Sequence, residues 1–104
     1  MNEYMKKRTG TSFKGYLMAT YQDLVVIFGE PISNPDNYKV DTEWIIDTPH
    51  GVATIYNYKD GKVYLGDQGQ PVQAICEWHV GGKGTEAYSW VKKEVLARKI
   101  SSFA

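Results

Sequence analysis

The stretch VDTEWIIDTPHGVATIYNYK, residues 40–59, contains two runs of strand-forming residues on either side of a short turn. The runs VDTEWIID and VATIYNYK are rich in β-branched and aromatic residues, which favour a pleated, half-buried strand. Between them, TPHG places Pro49 and Gly51 where a tight turn needs them. This stretch therefore predicts a β-hairpin, to which the rest of the chain must be fitted.

A third strand is predicted after a long connection that contains three glycines, DGKVYLGDQGQP. The segment VQAICEWHV, residues 72–80, alternates between apolar and polar positions over most of its length. His79 and Glu77 lie on its predicted polar face. The predicted apolar face carries Val72, Ala74, Cys76, Trp78 and Val80.

Two helices are indicated by their capping signals and periodicity. In TYQDLVVIFGEP, residues 20–31, Thr20 and Asp23 resemble a capping pair, while Gly29 and Pro31 supply the stop. After the glycine-rich turn GGKG, Thr85 is a candidate cap for a second helix. One face of that helix is predicted to carry Ala87, Trp90, Val91 and Val95.

The segment TSFKGYLMA, residues 11–19, predicts the first strand, with Phe13, Gly15 and Leu17 on one face and Lys14, Tyr16 and Met18 on the other. The element order is then β-α-β-β-β-α. This order favours an α+β fold in which two helices pack on one face of a small antiparallel sheet. We expect residues 1–10 to form a flexible N-terminal arm and residues 11–104 a single domain.

Composition excludes several classes of function. Twelve basic residues balance twelve acidic ones among 104, so no global positive field attracts duplex nucleic acid. A single cysteine allows no intramolecular disulfide, and two histidines without ligand spacing give little support to a metal site. No apolar run approaches a membrane span or a signal peptide. We expect a cytoplasmic protein without a cofactor.

The turn after the third predicted strand is the first candidate binding site. Unpaired N–H groups at a helix start favour an anion, glycines allow close approach of a ligand, and Lys83 adds a positive charge. The alternative is a plain strand-to-helix connection, because this is not a Walker A sequence. The candidate anion-binding residues are Gly81, Gly82, Lys83, Gly84 and Thr85.

Aromatic and imidazole side chains supply the second set of candidates. Tyr56 and Tyr58 share one strand face and are able to stack on a base, or else to pack on a helix or another subunit. Trp44 is a further candidate to flank a base, although its apolar neighbours favour the core. His79 precedes the glycine turn and either donates a hydrogen bond to a ligand, acts as an acid or base, or is an ordinary surface histidine. No nucleophile elbow or second catalytic histidine accompanies these residues, so we expect a protein that is not an enzyme.

The blocks TYQDLVVIFGEP, YKVDTEWII, ATIYNYKDG and EWHVGG, taken together, resemble a family of small uncharacterised bacteriophage and prophage proteins over most of residues 10–95. The resemblance implies a phage accessory protein in the infected host cell. Such proteins often counter host immunity, which suggests sequestration of a phosphate-bearing nucleotide second messenger, a cyclic oligonucleotide or an ADP-ribose derivative, without cleavage. The alternative is direct inhibition of a host defence enzyme or CRISPR effector. Because a small chain buries such a ligand poorly alone, we expect a homo-oligomer.

Overall fold

The computed structural model describes residues 9–33, 40–58 and 60–103, and it contains a sheet of five strands. Two 3-10 turns, Gly66–Gln68 and Val72–Ala74, precede the last strand. In chain order the strands and α-helices are β1 (Ser12–Met18), α1 (Tyr21–Phe28), β2 (Ile32–Ser33), β3 (Thr42–Thr48), β4 (Gly51–Tyr56), α2 (Lys62–Leu65), β5 (Glu77–Gly82) and α3 (Thr85–Phe103).

The strands lie in the order β1-β5-β4-β3-β2, and every neighbouring pair is antiparallel. Helices α1 and α3 pack on the same face of this sheet, because Leu24 of α1 and the stripe of α3 join one buried cluster with the inward residues of the strands. The α+β fold predicted from the sequence is therefore confirmed. The α3 side chains in this cluster are Ala87, Val91 and Val95, and the strand side chains include Trp44, Ile55, Trp78 and Val80.

The β3–β4 hairpin forms as predicted, and Thr48 pairs with Gly51 at its tip. Gly51 has a φ of 107°, a backbone conformation that L-residues rarely adopt, so this turn requires glycine. The Thr48 hydroxyl donates to the Gly51 carbonyl over 2.6 Å and accepts from the His50 N–H over 3.0 Å. These contacts fix which residues of the two strands face each other.

Two buried indoles attach α1 to the sheet. Trp78 donates from Nε1 to the carbonyl of Ala19, two residues before the helix, over 2.9 Å. Trp44 donates to the carbonyl of Gly29, immediately after the helix, over 2.8 Å. The two indole rings meet edge to face, with centroids 5.3 Å apart. Both ends of α1 are thus held by the same pair of side chains.

The capping box predicted for α1 is confirmed. The Asp23 N–H donates to Thr20 Oγ1 over 3.0 Å, and the Thr20 N–H donates to Asp23 Oδ2 over 3.1 Å. Helix α1 ends at Phe28 and is capped by Gly29, whose φ is 89° and whose N–H donates to the Val25 carbonyl.

The third predicted strand begins later than its alternation indicates. Strand β5 starts at Glu77, whereas residues 72–74 form a 3-10 turn in which the Ala74 N–H donates to the Pro71 carbonyl over 2.9 Å. The turn shifts the phase of the side chains, so Ile75 is buried and Cys76 is exposed. The placement of Cys76 on the apolar face was therefore wrong.

The alternation predicted for the first strand is also wrong at one position. Phe13 pairs with Gly81, but Gly15 pairs with the next residue of β5, Val80, so Lys14 is an extra residue in a β-bulge. Phe13 consequently shares a face with Tyr16 and not with Gly15. A Cβ at Gly15 would overlap the ring of Tyr88, so only glycine leaves room for this side chain of α3.

The chain outside these elements was predicted as an arm and loops. Of the predicted flexible arm, only Thr9 and Gly10 fall within the described residues, where they form a turn. The segment ISNPDNYK, residues 32–39, is rich in turn-forming residues that indicate a loop. It opens instead with the short strand β2, which pairs with β3, and residues 34–39 lie outside the described residues. The glycine-rich connection before β5 contains α2.

We expect Asn57→Ala to lower the free energy of unfolding by about 2–4 kcal/mol, because each buried N–H left unsatisfied costs about 1–3 kcal/mol. Asn57 is fully buried, and its Oδ1 accepts from the N–H groups of Asp41 and Thr42 over 2.8 and 3.1 Å. Its Nδ2 donates to Asp41 Oδ1 and Asp60 Oδ1. Urea unfolding measures the loss. The exposed Gln22→Ala should stay within about 0.5 kcal/mol of wild type, and an equally small effect of Asn57→Ala would contradict the expectation.

Candidate functional site on the helix-free face of the sheet

The face of the sheet opposite α1 and α3 carries a row of four side chains, one from each of four neighbouring strands. Glu43 of β3 pairs with Tyr56 of β4, Tyr56 pairs with His79 of β5, and His79 pairs with Tyr16 of β1. Directly paired residues place their side chains on the same face, with Cβ atoms about 4.5–5.5 Å apart. The row is therefore a continuous strip that ends in a carboxylate.

Four aromatic rings surround His79. The ring centroids of Tyr16 and Phe13 lie 5.0 and 5.3 Å from that of His79. The Tyr58 centroid lies at 5.5 Å, and the Tyr56 ring stacks on the imidazole at 5.6 Å with an interplanar angle of 27°. We call these five residues the aromatic platform; they enclose a concavity of about 440 Å³.

A groove of about 320 Å³ runs beside the platform. It lies over a second cross-strand row, in which the small residues Thr54 and Gly81 are paired. A Cβ at Gly81 would lie 2.7 Å from Thr54 Oγ1, so glycine at this position keeps the groove open. The residues that line the groove are Thr11, Ser12, Phe13, Val40, Glu43, Thr54, Tyr56, Tyr58 and Gly81.

The platform changes the acid–base properties of two of its rings. Burial lowers the pKa of His79 from its ordinary value of 6.5, and the carboxylates of Asp60 and Glu77 oppose this shift. Burial also raises the pKa of Tyr56, with contributions from Glu43 and Tyr58. The Nδ1 atom of His79 is buried and has no hydrogen-bond partner among the described residues. The platform therefore holds a neutral imidazole at pH 7.

The structure brings some of the predicted site residues together and separates others. His79, Tyr56 and Tyr58 lie in the platform, and Gly81 lies on the floor of the groove. Trp44 is buried on the opposite face, against Trp78, so it does not lie beside these tyrosines.

The residues of the predicted anion-binding turn also lie in different surroundings. Gly82 faces the helices, because a Cβ there would lie 3.5 Å from the Cβ of Ala87. Thr85 is the first residue of α3 and borders a separate depression of about 220 Å³ that includes His50. Lys83 is exposed, and its Cε lies 3.7 Å from the position of a Cβ at Gly10, next to Thr11 of the groove. Gly84 has open space around its own Cβ position.

Three residues of the site were missed by the sequence reasoning. Phe13 and Tyr16 were assigned to opposite faces because the bulge at Lys14 has no signal in the alternation pattern. Glu43 had a usable signal, since closure of the hairpin at Thr48–Gly51 fixes the pairing of Glu43 with Tyr56.

Within residues 9–33, 40–58 and 60–103, no group of three or more His, Cys, Asp or Glu side chains is arranged to hold a metal ion. None of the helices described is both long and apolar enough to cross a membrane. No protein-family model matches the chain, and no curated protein or solved structure matches it.

We expect the imidazole of His79 to titrate below its ordinary value of 6.5. In His50→Gln, which retains a single histidine, a proton NMR titration gives its midpoint directly. Because the unfolded state takes up the proton more readily, stability is intact above pH 6.5 and falls as the pH drops through the folded-state pKa. The variant His79→Phe should lose this dependence. A midpoint at or above 6.5 would show that the platform does not desolvate the ring.

Proposed function

We propose that this protein binds the base of a phosphate-bearing nucleotide on its aromatic platform and sequesters the nucleotide without cleaving it. The observation that carries the proposal is the cluster of four aromatic rings around His79 on a sheet face that the helices leave uncovered. Bases stack on aromatic side chains of sheet surfaces with a gain of about 1–3 kcal/mol per base.

The exposure of the platform supports this use. Phe13, Tyr16 and Tyr58 are 47%, 51% and 37% exposed although they are neighbours on one face. Contiguous exposed apolar surface is costly in water and is typical of binding sites. A flat heterocycle laid over these rings covers apolar area on both partners. The adjoining groove of about 320 Å³ is within the usual size of small-ligand sites.

The groove also has an end that suits a phosphate. Thr11 and Ser12 line that end, and Lys83 lies beside the neighbouring Gly10. Hydroxyl groups and an ammonium group are suitable partners for a phosphate oxygen. In the proposed complex, the base lies on Tyr56 and His79, and the phosphate lies towards Lys83.

The resemblance to phage proteins suggests a biological role for this binding. A phage protein that holds a cyclic oligonucleotide or an ADP-ribose-derived messenger withdraws the signal from the host immune pathway. The platform and the groove are open on one side, so a second copy of the chain, joined as a homo-oligomer, would complete the enclosure of a charged ligand.

Isothermal titration calorimetry against cyclic di- and trinucleotides and cyclic ADP-ribose tests the proposal. We expect micromolar or tighter binding of at least one of them, and chromatography after long incubation should recover that ligand unaltered. Absence of binding throughout the panel, with protein that melts cooperatively, would refute the proposal. Conversion of the ligand would point instead to an enzyme.

A protein interface is the second function that the site supports. The outward side chain of Met18, which follows Tyr16 on the edge strand β1, is 61% exposed and extends the apolar surface beyond the platform. Aromatic anchors and methionine are enriched in such interfaces. A stoichiometric host defence enzyme or CRISPR effector, retained from bacterial lysate after removal of nucleotides, would favour this function. Loss of that partner in Tyr16→Ala would assign the platform to it.

We expect Tyr56→Leu to weaken nucleotide binding by about 1–3 kcal/mol, because the substitution keeps apolar bulk but removes the stacking ring. Tyr64, an exposed tyrosine of α2 away from the platform, provides the control Tyr64→Leu. Calorimetry on both variants measures the difference. Equal affinities of the two variants would place the base elsewhere.

We expect Lys83→Ala to weaken nucleotide binding by about 1–3 kcal/mol, because a charge-assisted hydrogen bond is lost. Lys62→Ala removes an exposed lysine of α2 and serves as the control. The affinity of wild type, but not of Lys83→Ala, should fall as salt is raised, since screening weakens exposed charges. If Lys83→Ala bound the nucleotide with unchanged affinity, the glycine-rich turn would have only a structural role.

A further inference from the structure

The rings of the aromatic platform form walls and not only a flat surface. The Tyr56 ring stacks on the imidazole of His79, whereas the rings of Phe13, Tyr16 and Tyr58 are tilted from it by 52°, 66° and 56°. The three tilted residues are also the exposed ones, at 47%, 51% and 37%. The concavity that they line therefore presents several aromatic rings to one bound group.

The charges beside this concavity are negative. Glu77 precedes His79 by two residues on β5, so its exposed carboxylate lies on the same face of the sheet as the imidazole. The carboxylates of Glu77 and Asp60 both act electrostatically on His79. Among the described residues, no lysine or arginine lines the concavity. A ligand in the concavity is therefore exposed to a negative potential.

We propose that the platform selects a positively charged heterocycle, so that the sequestered nucleotide is one whose base carries a formal positive charge, such as an N-alkylated pyridinium or adenine ring. This inference rests on the proposed nucleotide-binding function and narrows it to nucleotides with a cationic base.

The preference for a cation follows from the electrostatics of aromatic rings. The face of such a ring is negative, and a cation within about 6 Å of its centroid is attracted to it. Groups of aromatic rings bind organic cations for this reason, and nearby carboxylates strengthen the attraction. A neutral base stacks on the same rings and covers the same apolar area, but it gains little from the negative potential. The charge of the base is therefore what distinguishes this inference from stacking alone.

The two ends of the site suit a ligand with charges of both signs. Along β5, Glu77 lies on one side of His79, and Lys83 follows the strand on the other side. Four residues separate His79 from Lys83, which is at most about 13 Å of extended chain. The lysine side chain shortens this span towards the distance between the base and the phosphate of a nucleotide. A cationic base on the platform and a phosphate towards Lys83 each lie near the opposite charge.

Calorimetry on pairs of ligands that differ mainly in the charge of the ring tests this inference. Nicotinamide mononucleotide has a pyridinium ring, which reduction converts to a neutral dihydropyridine. Cyclic ADP-ribose closed through N1 of adenine is cationic at neutral pH, whereas its N1-linked hypoxanthine analogue is neutral. We expect the cationic member of each pair to bind about tenfold more tightly. 1-Methylnicotinamide, a pyridinium without ribose or phosphate, should bind about tenfold more weakly than the mononucleotide.

Three variants assign the charge preference to particular residues. Glu77→Gln removes the exposed carboxylate beside His79, whereas Glu30→Gln removes an exposed carboxylate that follows α1 and lines neither the platform nor the groove. The ratio of the affinities for nicotinamide mononucleotide and its reduced form should fall about twofold in Glu77→Gln and remain unchanged in Glu30→Gln. Tyr16→Leu keeps apolar bulk but removes a ring face, so the same ratio should fall about fivefold.

The outcomes separate this inference from the function on which it rests. If neither these ligands nor the cyclic oligonucleotides bind, the proposed function fails, and the preference for a cationic base fails with it. If nucleotides bind but the neutral member of each pair binds as tightly as the cationic member, only the preference for a cationic base fails. Equal affinities for 1-methylnicotinamide and the mononucleotide would overturn the role of the phosphate and retain the charge preference. An unchanged affinity ratio in both Glu77→Gln and Tyr16→Leu, with each variant folded, would overturn the assignment of the cation to the platform.

Discussion

The two indole hydrogen bonds from the sheet to the ends of α1 are the constraint on which the rest of the architecture depends. Trp78 donates to the carbonyl of Ala19 before the helix, and Trp44 donates to the carbonyl of Gly29 after it. If the helix left this face of the sheet, the two indole N–H groups would lose their hydrogen-bond acceptors. Helix α3 then covers the remaining apolar surface on the same side. Because α1 and α3 both pack on one face, the opposite face is not covered by these helices and carries the aromatic platform.

The residue composition of that opposite face differs from the composition of a typical solvent-exposed sheet face. An antiparallel sheet with one wet face usually alternates apolar residues inward with small or charged residues outward. Here the outward positions include Tyr16, Tyr56 and His79, and they lie side by side across three strands. Aromatic rings packed against each other on a wet face stabilise the sheet modestly. The same arrangement leaves their outer surfaces available to a planar ligand.

Much of the fold was predictable because its signals are local. The hairpin turn at Gly51, the capping box of Thr20 and the apolar stripe of α3 each depend on residues close in sequence. The errors arose where irregular backbone changes the phase of the side chains, at the bulge at Lys14 and in the 3-10 turn after Pro71. In the candidate site, local chemistry singled out Tyr56, Tyr58 and His79, but not Tyr16. Phe13 joins them through long-range pairing, which alternation does not encode.

The position of β1 at the sheet edge next to β5 has a consequence for the order of folding. Residues 12–18 pair with residues 77–82, so the first strand to be synthesised waits for the last before it has a partner. The β3–β4 hairpin closes over a few residues, whereas the pairing of β1 must close a loop of most of the domain, which is entropically slower. On the ribosome, Phe13 and Tyr16 leave the exit tunnel well before β5 does, and the aromatic platform is completed only once β5 has emerged as well.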